Sequence, residues 1–576
     1  MTNTTTKPAL EKTPATRSWE LVRRNWSLFL AVVLLLGLLV YGVPLFLRTP
    51  VWVDVTYHDL SARNVLSGGV HYREIFETNL PGMVWLHCLV RSVCGWSHEA
   101  IRVVDLLVVG SVVWFLVRLL RGEKISLVKQ VWFAVACTLF YLFETEFIHC
   151  QRDVWMLLPS MVAVTLRWRR LQKVGPSGWR RRVLALAEGL AWGCAVWIKP
   201  HVLAAAFGVW LGTLRGFTWR GCLADTLAVV LGGILAGLAG TTWLLVSGTW
   251  SPMWEVLLNW NGEYYRWSWT MFWYKIRVVP SYFLPFSALH YVALPLALYS
   301  LVRRSVFGVR SLLAGFYLGW LAQATLVQKT FDYAQAPPLL LGLAFLASWR
   351  WPVGRFFFLW LLLAGAVEAR FGETTSMQQF KQQYKVVYGR VFPNHALFEQ
   401  KRFWLWDDCW HDDSWELKDQ LSHFEQTGSN PDWADLHKVA DFLRTQQVGD
   451  GELICWHDTT HPLYLDLQIK PGYRFPHVMT AMRFQSKHDI LKREAFENQA
   501  RFVVSDLIPV TYTQAFSPAP PAGPCAELPP EFPAWKNTVY PWNQPVVFRA
   551  GRYFVHRLTN PQGEIVFPLP FSLYNE

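Results

Sequence analysis

The chain has 576 residues, of which 52% are hydrophobic and only 17% are charged, and it contains 33 tryptophans. This composition excludes an intrinsically disordered chain, a collagen-like repeat and a small disulfide-stabilised domain, and it differs from that of a soluble enzyme, in which about a quarter of the residues are charged. The net charge of +12 divides into +17 over residues 1–370 and −5 over residues 371–576. A positive excess confined to the apolar part indicates a membrane protein oriented by basic loops, and it argues against a nucleic-acid partner.

Apolar runs follow the polar N-terminal tail, residues 1–25. Crossing a bilayer core of about 30 Å takes about 20 apolar residues, and the sequence predicts about eleven such spans. They lie near residues 27–47, 100–120, 129–147, 153–168, 183–198, 201–213, 224–247, 282–302, 311–328, 335–349 and 355–370. The short pair around Lys199-Pro200-His201 is either two short crossings or one re-entrant hairpin, with the same topology. The first run is too long for a signal-peptide core and lacks a cleavage site, so we expect it to be retained.

The basic loops predict the orientation, because cytoplasmic loops carry an excess of Lys and Arg. With a cytoplasmic N-terminus, all of the basic loops fall on the cytoplasmic side. These loops lie near residues 121–129, 167–182, 215–220, 303–310 and 350–355. The loops 48–99 and 248–281 and the segment 371–576 then lie outside the membrane. The sequence therefore predicts a multi-pass protein of the cell (inner) membrane with an extracytoplasmic C-terminal domain.

The C-terminal segment 371–576 has a different character from the spans. Its early part is polar and helix-prone, and strand-like runs then appear at 453–456, 502–505 and 553–555. Helical stretches near 432–447 and 487–498 alternate with these runs, which is typical of a small α/β domain. The predicted fold is an α-helical polytopic membrane domain, residues 26–370, followed by an α/β domain. No CxxC, Walker or GxGxxG pattern indicates a structural zinc or a soluble nucleotide site.

Asp54 follows the first span directly, at the expected outer surface of the membrane. Residues 56–66 can form a helix lying in the interface, with Tyr57, Leu60 and Asn64 on one face. A carboxylate at this place could take a proton from an acceptor hydroxyl as a general base, bind a divalent metal, or cap the following helix. The other carboxylates of the membrane part also concentrate on the outer side. This pattern fits an outer catalytic cleft, or simply the exclusion of acids from basic inner loops.

Several blocks of this chain resemble the GT-C membrane glycosyltransferases, which include protein O-mannosyltransferases and the lipid A aminoarabinose transferase. The resemblance covers roughly residues 26–370. Its blocks are Asp54, Tyr72-Arg73-Glu74, Pro81-Gly82, the run from Gly95 to Arg102, Gln151-Arg152-Asp153, Lys199-Pro200-His201 and the run from Gln328 to Pro337. Two blocks depart from the family pattern: Ala334 follows Tyr333 where the family often has His, and Leu80-Pro81-Gly82 replaces a common Pro-Pro pair.

The resemblance implies a GT-C fold and the transfer of a sugar from a polyprenyl-phosphate donor to a glycan, lipid or protein acceptor. It implies that Asp54 is the catalytic base and that Asp153, with Glu144 or Glu146, forms a second acidic position that steers the acceptor or a metal. The residues expected to face the donor phosphate are Arg152, Lys199, His201 and Lys329. The residues expected near the acceptor or sugar are Tyr57, Glu144, Glu146, Tyr264 and Tyr333. No cofactor follows from the residues, and a divalent metal remains an alternative.

Structural roles remain open for several of these side chains. Asp59 is expected on a solvated face, Arg152 and Asp153 could form a local ion pair, and Lys199 could extend to the interface. Lys329 could be a span-end anchor, and the pairs made by Asp105 and Glu188 are expected to be structural. A metal site is disfavoured for the outer histidines, which lack i, i+4 spacing: His71, His87, His98 and His149. The alternative functions are a transporter of a lipid-linked sugar and a non-catalytic scaffold.

Overall fold

The computed structural model describes most of the membrane part and most of the C-terminal domain. The described residues are 14–172, 178–216, 218–264, 268–278, 283, 286–302, 308–328, 331–349, 400–422, 430–477, 484–496, 498–507 and 540–559. The predicted span 355–370, Lys329 and the Pro-rich stretch 516–533 lie outside these residues. The first ten predicted spans each coincide with at least one helix.

The described part of the membrane domain consists of helices joined by short turns. They are α1 (Pro14–Arg48), α2 (Val53–Leu66), α3 (Gly82–Cys94), α4 (His98–Gly122), α5 (Leu127–Phe143), α6 (Arg152–Trp155), α7 (Leu157–Leu171), α8 (Gly178–Ile198), α9 (Leu203–Thr213), α10 (Trp219–Val246), α11 (Trp250–Asn259), α12 (Asn261–Tyr264), α13 (Trp269–Val278), α14 (Leu289–Val302), α15 (Val309–Ala322) and α16 (Ala336–Ala347). Within the described residues, three helical segments are long and apolar enough to cross a membrane: Asn25–Arg48, His98–Gly122 and Trp219–Val246. The count of about eleven crossings stays a prediction.

Glycines let two helix pairs approach closely. A Cβ atom on Gly208 of α9 would lie 2.2 Å from the carbonyl oxygen of Gly315 in α15, and one on Gly189 of α8 would lie 1.9 Å from that of Val229 in α10. Small residues at helix contacts are the usual means of close packing in membranes, because lipid leaves dispersion contacts between helices as a main source of stability.

Buried ion pairs and hydrogen bonds join further helices. Glu188 of α8 accepts a hydrogen bond of 2.9 Å from Arg167 and a shorter one from Arg170, both on α7. Asp105 of α4 accepts hydrogen bonds from the Tyr141 hydroxyl and from the indole of Trp155. These contacts agree with the structural role predicted for Asp105 and Glu188. The arginines neutralise the buried Glu188 carboxylate, and the hydrogen bonds to the Asp105 carboxylate replace those it would make with water.

The C-terminal domain contains a four-stranded sheet covered by helices. Its described elements are α17 (Gln400–Leu405), α18 (Asp408–His411), α19 (Trp415–Leu421), α20 (Trp433–Thr445), β1 (Leu453–Cys455), α21 (Leu463–Asp466), α22 (His488–Phe496), β2 (Phe502–Asp506), β3 (Val546–Ala550) and β4 (Tyr553–Arg557). The sheet order is β1-β2-β4-β3; β1 pairs parallel to β2, and the other pairs are antiparallel. The three predicted strands and the helices near 432–447 and 487–498 are confirmed.

The sequence analysis missed β3. It directly follows Pro545, and it joins β4 through a tight turn at Gly551, whose φ is +51°.

Two hydrophobic cores join the C-terminal domain to the membrane-side loops. Leu60 of α2 and Ile75 pack with Leu436 and the apolar residues of the sheet. Phe76 and Trp260 pack with Phe475 on the other side of the sheet. The first outer loop is therefore held between the membrane helices and the sheet, which is where the cavity described below is found.

Candidate active site

A cavity of about 180 Å³ lies between the first outer loop and the C-terminal domain. Four of the predicted site residues line it: Asp54, Tyr57, Arg152 and Tyr333. They come from three separate sequence blocks, so the fold brings together residues that the chain keeps far apart. We refer to this space as the Asp54 cavity.

Asp54 reaches the cavity because α2 begins immediately before it. Trp52 occupies the N-cap position with an extended backbone and no side-chain cap, and Asp54 lies in the first turn of the helix. The interpretation of Asp54 as the N-cap is therefore wrong. A carboxylate in the first turn is still stabilised by the helix dipole, which favours the ionised form. Asp54 is half-buried, so it is accessible from the cavity.

Asp153 is fully buried, whereas its neighbour Arg152 lines the Asp54 cavity. Its carboxylate lies 2.8 Å and 3.0 Å from the Lys199 ammonium and accepts a hydrogen bond of 3.0 Å from Gln328. These partners are remote in sequence, and they hold Asp153 outside the lining of the Asp54 cavity. The turn of π-helix Gln323–Val327 ends α15 directly before Gln328, and such irregular turns often accompany functional sites.

Lys199 directly follows α8, and its side chain is buried instead of extending to the membrane interface. Its ammonium contacts Asp153 and Gln328 and lies 5.7 Å from the centre of the Tyr333 ring. The interpretation of Lys199 as an interfacial side chain reaching for water is therefore wrong. Because Tyr333 lines the Asp54 cavity, the Tyr333 side chain lies between this cavity and the Lys199 ammonium.

The remaining predicted residues lie at different places. Glu146 is fully buried and accepts a hydrogen bond of 2.6 Å from Ser422 of the C-terminal domain. Glu144 is buried beside it, and His201 lies in the turn Pro200–Val202 after Lys199. The side chain of Tyr264, like Lys329, lies outside the described residues. The structure thus separates Glu144 and Glu146 from the lining of the Asp54 cavity.

Asp59 is buried, with 2% of its surface exposed, and is not the solvated residue that we expected. Its carboxylate lies 2.8 Å from Nδ1 of His87 and accepts a hydrogen bond of 2.6 Å from Nε of Arg91. Burial alone would raise the pKa of Asp59, but His87 and Arg91 together outweigh it and lower the pKa to about 2. This ion pair fastens α2 to α3.

We next compared the chain with known proteins. No family model and no curated protein matches it. A crystal structure of ArnT from Cupriavidus metallidurans bound to undecaprenyl phosphate shares 14% identity, covers 92% of this chain and 99% of its own, and gives a TM-score of 0.52. The apo structure of the same protein shares 15% identity over 96% of this chain and 100% of its own, with a TM-score of 0.50. The chain has the GT-C fold.

A third structure, the apo oligosaccharyltransferase of Archaeoglobus fulgidus, shares 13% identity. It covers 84% of this chain and 70% of its own, with a TM-score of 0.43.

The GT-C fold explains why separate sequence blocks converge. The blocks around Asp54, Arg152 and Tyr333 all contribute to one cavity, and the block around Lys199 adjoins it. Sequence analysis placed these residues on the outer side, but it could not give their distances.

Sequence analysis missed Glu77 and His58, which also line the cavity. Oε2 of Glu77 lies 3.7 Å from Nδ1 of His58, and Glu77 accepts a hydrogen bond of 3.0 Å from the Asn79 backbone. Burial raises the pKa of Glu77 and lowers that of His58 well below its usual value. Glu77 was visible only as one of several outer acids, so its sequence position gave no distinguishing signal.

The C-terminal domain supplies a second missed group: Asp458, His461 and His477. Nε2 of His461 lies 2.9 Å from the Thr56 hydroxyl, and burial lowers the pKa of His461 to about 4. Asp458 and His461 follow β1, whose parallel pairing with β2 puts its carboxyl end at the sheet edge where ligands bind in α/β folds. That position was a usable signal in the sequence.

Lys275 of α13 was also missed. It is buried, and its ammonium donates a hydrogen bond to the backbone carbonyl of Gln328, whose side chain contacts Lys199. The ammonium groups of Lys199 and Lys275 therefore both donate hydrogen bonds to Gln328.

A divalent metal does not fit the described residues. Within the described ranges, no three His, Cys, Asp or Glu side chains are placed to hold a metal ion. The described lining of the Asp54 cavity offers carboxylates and imidazoles, but they are not arranged as a ligand set. We therefore derive no step through a metal.

Proposed function

We propose that this chain is a membrane glycosyltransferase that moves a sugar from a polyprenyl-phosphate donor to an acceptor at the outer face of the cell membrane. The observation that carries the proposal is the convergence of Asp54 and Arg152, a carboxylate and a guanidinium, on one cavity in a chain with the GT-C fold. The donor class is supported by the undecaprenyl phosphate bound to the similar ArnT structure.

In the proposed reaction, Asp54 acts as the general base. An acceptor hydroxyl loses its proton to the Asp54 carboxylate while its oxygen bonds to the anomeric carbon of the donor sugar. The bond between that carbon and the phosphate oxygen breaks, and polyprenyl phosphate leaves with the bonding electrons. Arg152 stabilises the negative charge that develops on the leaving phosphate.

Lys199 is the second proposed contact of the donor phosphate, together with His201 and Lys329. Support comes from the position of Lys199 behind Tyr333 and from the nearby cation Lys275. In this proposal Asp153 is the second acidic residue: it holds the Lys199 ammonium in place and keeps it charged.

The individual side chains that contact the sugar and the acceptor are also proposals. Tyr57 and Tyr333 line the cavity and offer aromatic faces and hydroxyls to a sugar. Glu144 and Glu146 do not line the Asp54 cavity, so this cavity gives no support for their contact with the acceptor. The acceptor contact of Tyr264, whose side chain lies outside the described residues, stays a prediction.

The test is a release assay on the full-length protein purified in detergent. The protein is incubated with polyprenyl-phosphate sugars and a membrane extract as acceptor source, and free polyprenyl phosphate is measured. We expect release, and a fall of at least about 100-fold for Arg152→Gln, since one charge-stabilising group contributes about that much. Arg493→Gln, at an exposed site of α22, is the matched control. If no donor of this class yields polyprenyl phosphate, or if both variants behave alike, the proposal fails.

A further inference from the structure

Three large aromatic side chains are exposed on the first described helices of the C-terminal domain. Phe403 and Trp404 of α17 and Trp410 of α18 are 64%, 68% and 57% exposed. An aromatic side chain of this size that stays in water forgoes the stabilisation that its burial would bring. A contiguous exposed apolar patch marks a contact with another protein or with a membrane. We call residues 403–410 the aromatic segment.

The aromatic segment lies against the last turns of α1. The indole of Trp406 donates a hydrogen bond of 3.2 Å to the backbone carbonyl of Val40. Nε of Arg48 donates one of 3.1 Å to the backbone carbonyl of Cys409. Trp406 and Cys409 also pack with Leu45 in a small hydrophobic core. Since α1 rises about 1.5 Å per residue, these contacts cover about 12 Å of the helix before its end at Arg48.

This part of α1 has a face that is suited to contact with lipid. The helical segment Asn25–Arg48 is long and apolar enough to cross a membrane. Val33, Leu36 and Val40 are exposed and share one face of it, at i, i+3 and i+7 spacing. Because Trp406 is hydrogen-bonded to Val40, the aromatic segment adjoins this face near the end of the span that is next to the C-terminal domain.

Carboxylates within the aromatic segment favour a hydrated membrane surface over a dry protein interface. Asp407 and Asp408 are exposed, and they lie between Trp404 and Trp410 in the sequence. A second protein surface packed on the aromatic rings would take these carboxylates out of water, which is costly for a charged group. The head-group region of a bilayer stays hydrated and accepts aromatic rings, and tryptophan is enriched there in membrane proteins.

We propose that the aromatic segment is a membrane anchor whose partner is a phospholipid surface. The side chains of Phe403, Trp404 and Trp410 insert at the level of the lipid head groups, in the leaflet next to the C-terminal domain. This contact fixes the start of the C-terminal domain at the membrane surface, beside the end of α1. The anchor does not depend on the reaction proposed for the Asp54 cavity.

The test is photo-crosslinking to lipid in the full-length protein, reconstituted in nanodiscs of dioleoylphosphatidylcholine. The photoreactive amino acid p-benzoylphenylalanine replaces Phe403 or Trp410, and mass spectrometry after irradiation measures the phospholipid adduct. Leu36, on the exposed face of α1, is the positive control. Asp441 of α20 is the negative control, because it is exposed and forms an ion pair with Arg444.

We expect phospholipid adducts at Leu36, Phe403 and Trp410, with a yield at least about tenfold lower at Asp441, because aromatic side chains of a membrane anchor lie among the lipids. Phe403 keeps its phenyl ring in the substitution, so the test holds even if the Trp410 variant does not fold. Adducts at Leu36 without any at Phe403 and Trp410 would overturn the anchor. Crosslinks between two copies of the chain at Phe403 and Trp410, in place of lipid adducts, would also overturn it and identify a protein interface.

Discussion

The Lys199 ammonium lies 2.8 Å from Oδ2 of Asp153 and 5.7 Å from the centre of the Tyr333 ring. This arrangement connects a buried ion pair to the wall of the Asp54 cavity. Asp153 follows Arg152 directly, so the residue that holds Lys199 and the residue whose guanidinium is assigned to the cavity lie in the same turn of α6. The ion pair therefore joins Asp153, which the sequence analysis assigned to the second acidic position, to Lys199, which it assigned to the donor phosphate.

The first prediction concerns this pair. Lys199→Met leaves the Asp153 carboxylate buried without its cation, and breaking a buried pair on one side costs about 3–5 kcal/mol. The double variant Asp153→Asn/Lys199→Met removes both charges and should recover part of that loss. Thermal unfolding of the purified protein in detergent measures the stability of Lys199→Met, Asp153→Asn and the double variant. Strictly additive effects of the two single changes would show that the pair is not coupled.

The second prediction concerns the pH dependence of stability that Asp59 produces. Its pKa in the folded protein is about 2, below the usual 3.8, so the ionised carboxylate stabilises the folded state. The contribution is fully present at neutral pH, where it amounts to about 2 kcal/mol, and it is lost as the pH falls below about 4. Asp59→Asn should therefore lower stability at pH 7 and flatten its decline between pH 5 and pH 3. Parallel declines in the wild type and the variant would contradict this assignment.

The third prediction concerns the contact between α9 and α15. Gly208→Ala places a methyl group 2.2 Å from the Gly315 carbonyl oxygen and must push the helices apart, at a cost of about 1–3 kcal/mol. Gly110→Ala in α4 is the control, because no atom lies within 4 Å of the added Cβ. Detergent thermal stability should fall for the first variant and hold or rise for the second. Equal stability of both variants would show that α9 and α15 do not pack as described.

Sequence analysis predicted the elements better than their contacts. The helix at α2, the helices that coincide with the predicted spans and three of the four described strands follow from hydrophobic periodicity, which is a local property of the chain. The burial of Asp59 does not, because it depends on His87 and Arg91 in another helix. Periodicity assigns a charged residue to a polar face, and only tertiary packing shows that this face is covered.

In the candidate site too, the sequence predicted which residues take part, and their contacts required the tertiary structure. Span topology predicts an outer position for Asp54 and Arg152, and the resemblance to the GT-C family predicts their association. The partners of Lys199 required the three-dimensional arrangement, since Asp153 and Gln328 are 46 and 129 residues away in sequence. The sequence placed His461 after a strand-like run, but the parallel pairing that makes such a position a usual ligand-binding place is seen only in the fold.

The central claim is that Asp54 is the base of a sugar transfer from a polyprenyl-phosphate donor. The most direct measurement is the rate of polyprenyl phosphate release by Asp54→Asn beside the wild type, with Asp441→Asn at an exposed site of α20 as control. The amide keeps the shape of the side chain and cannot take the proton, so we expect a fall of about 100-fold to 10,000-fold for Asp54→Asn and no change for Asp441→Asn. Equal rates for the wild type and Asp54→Asn would contradict the account.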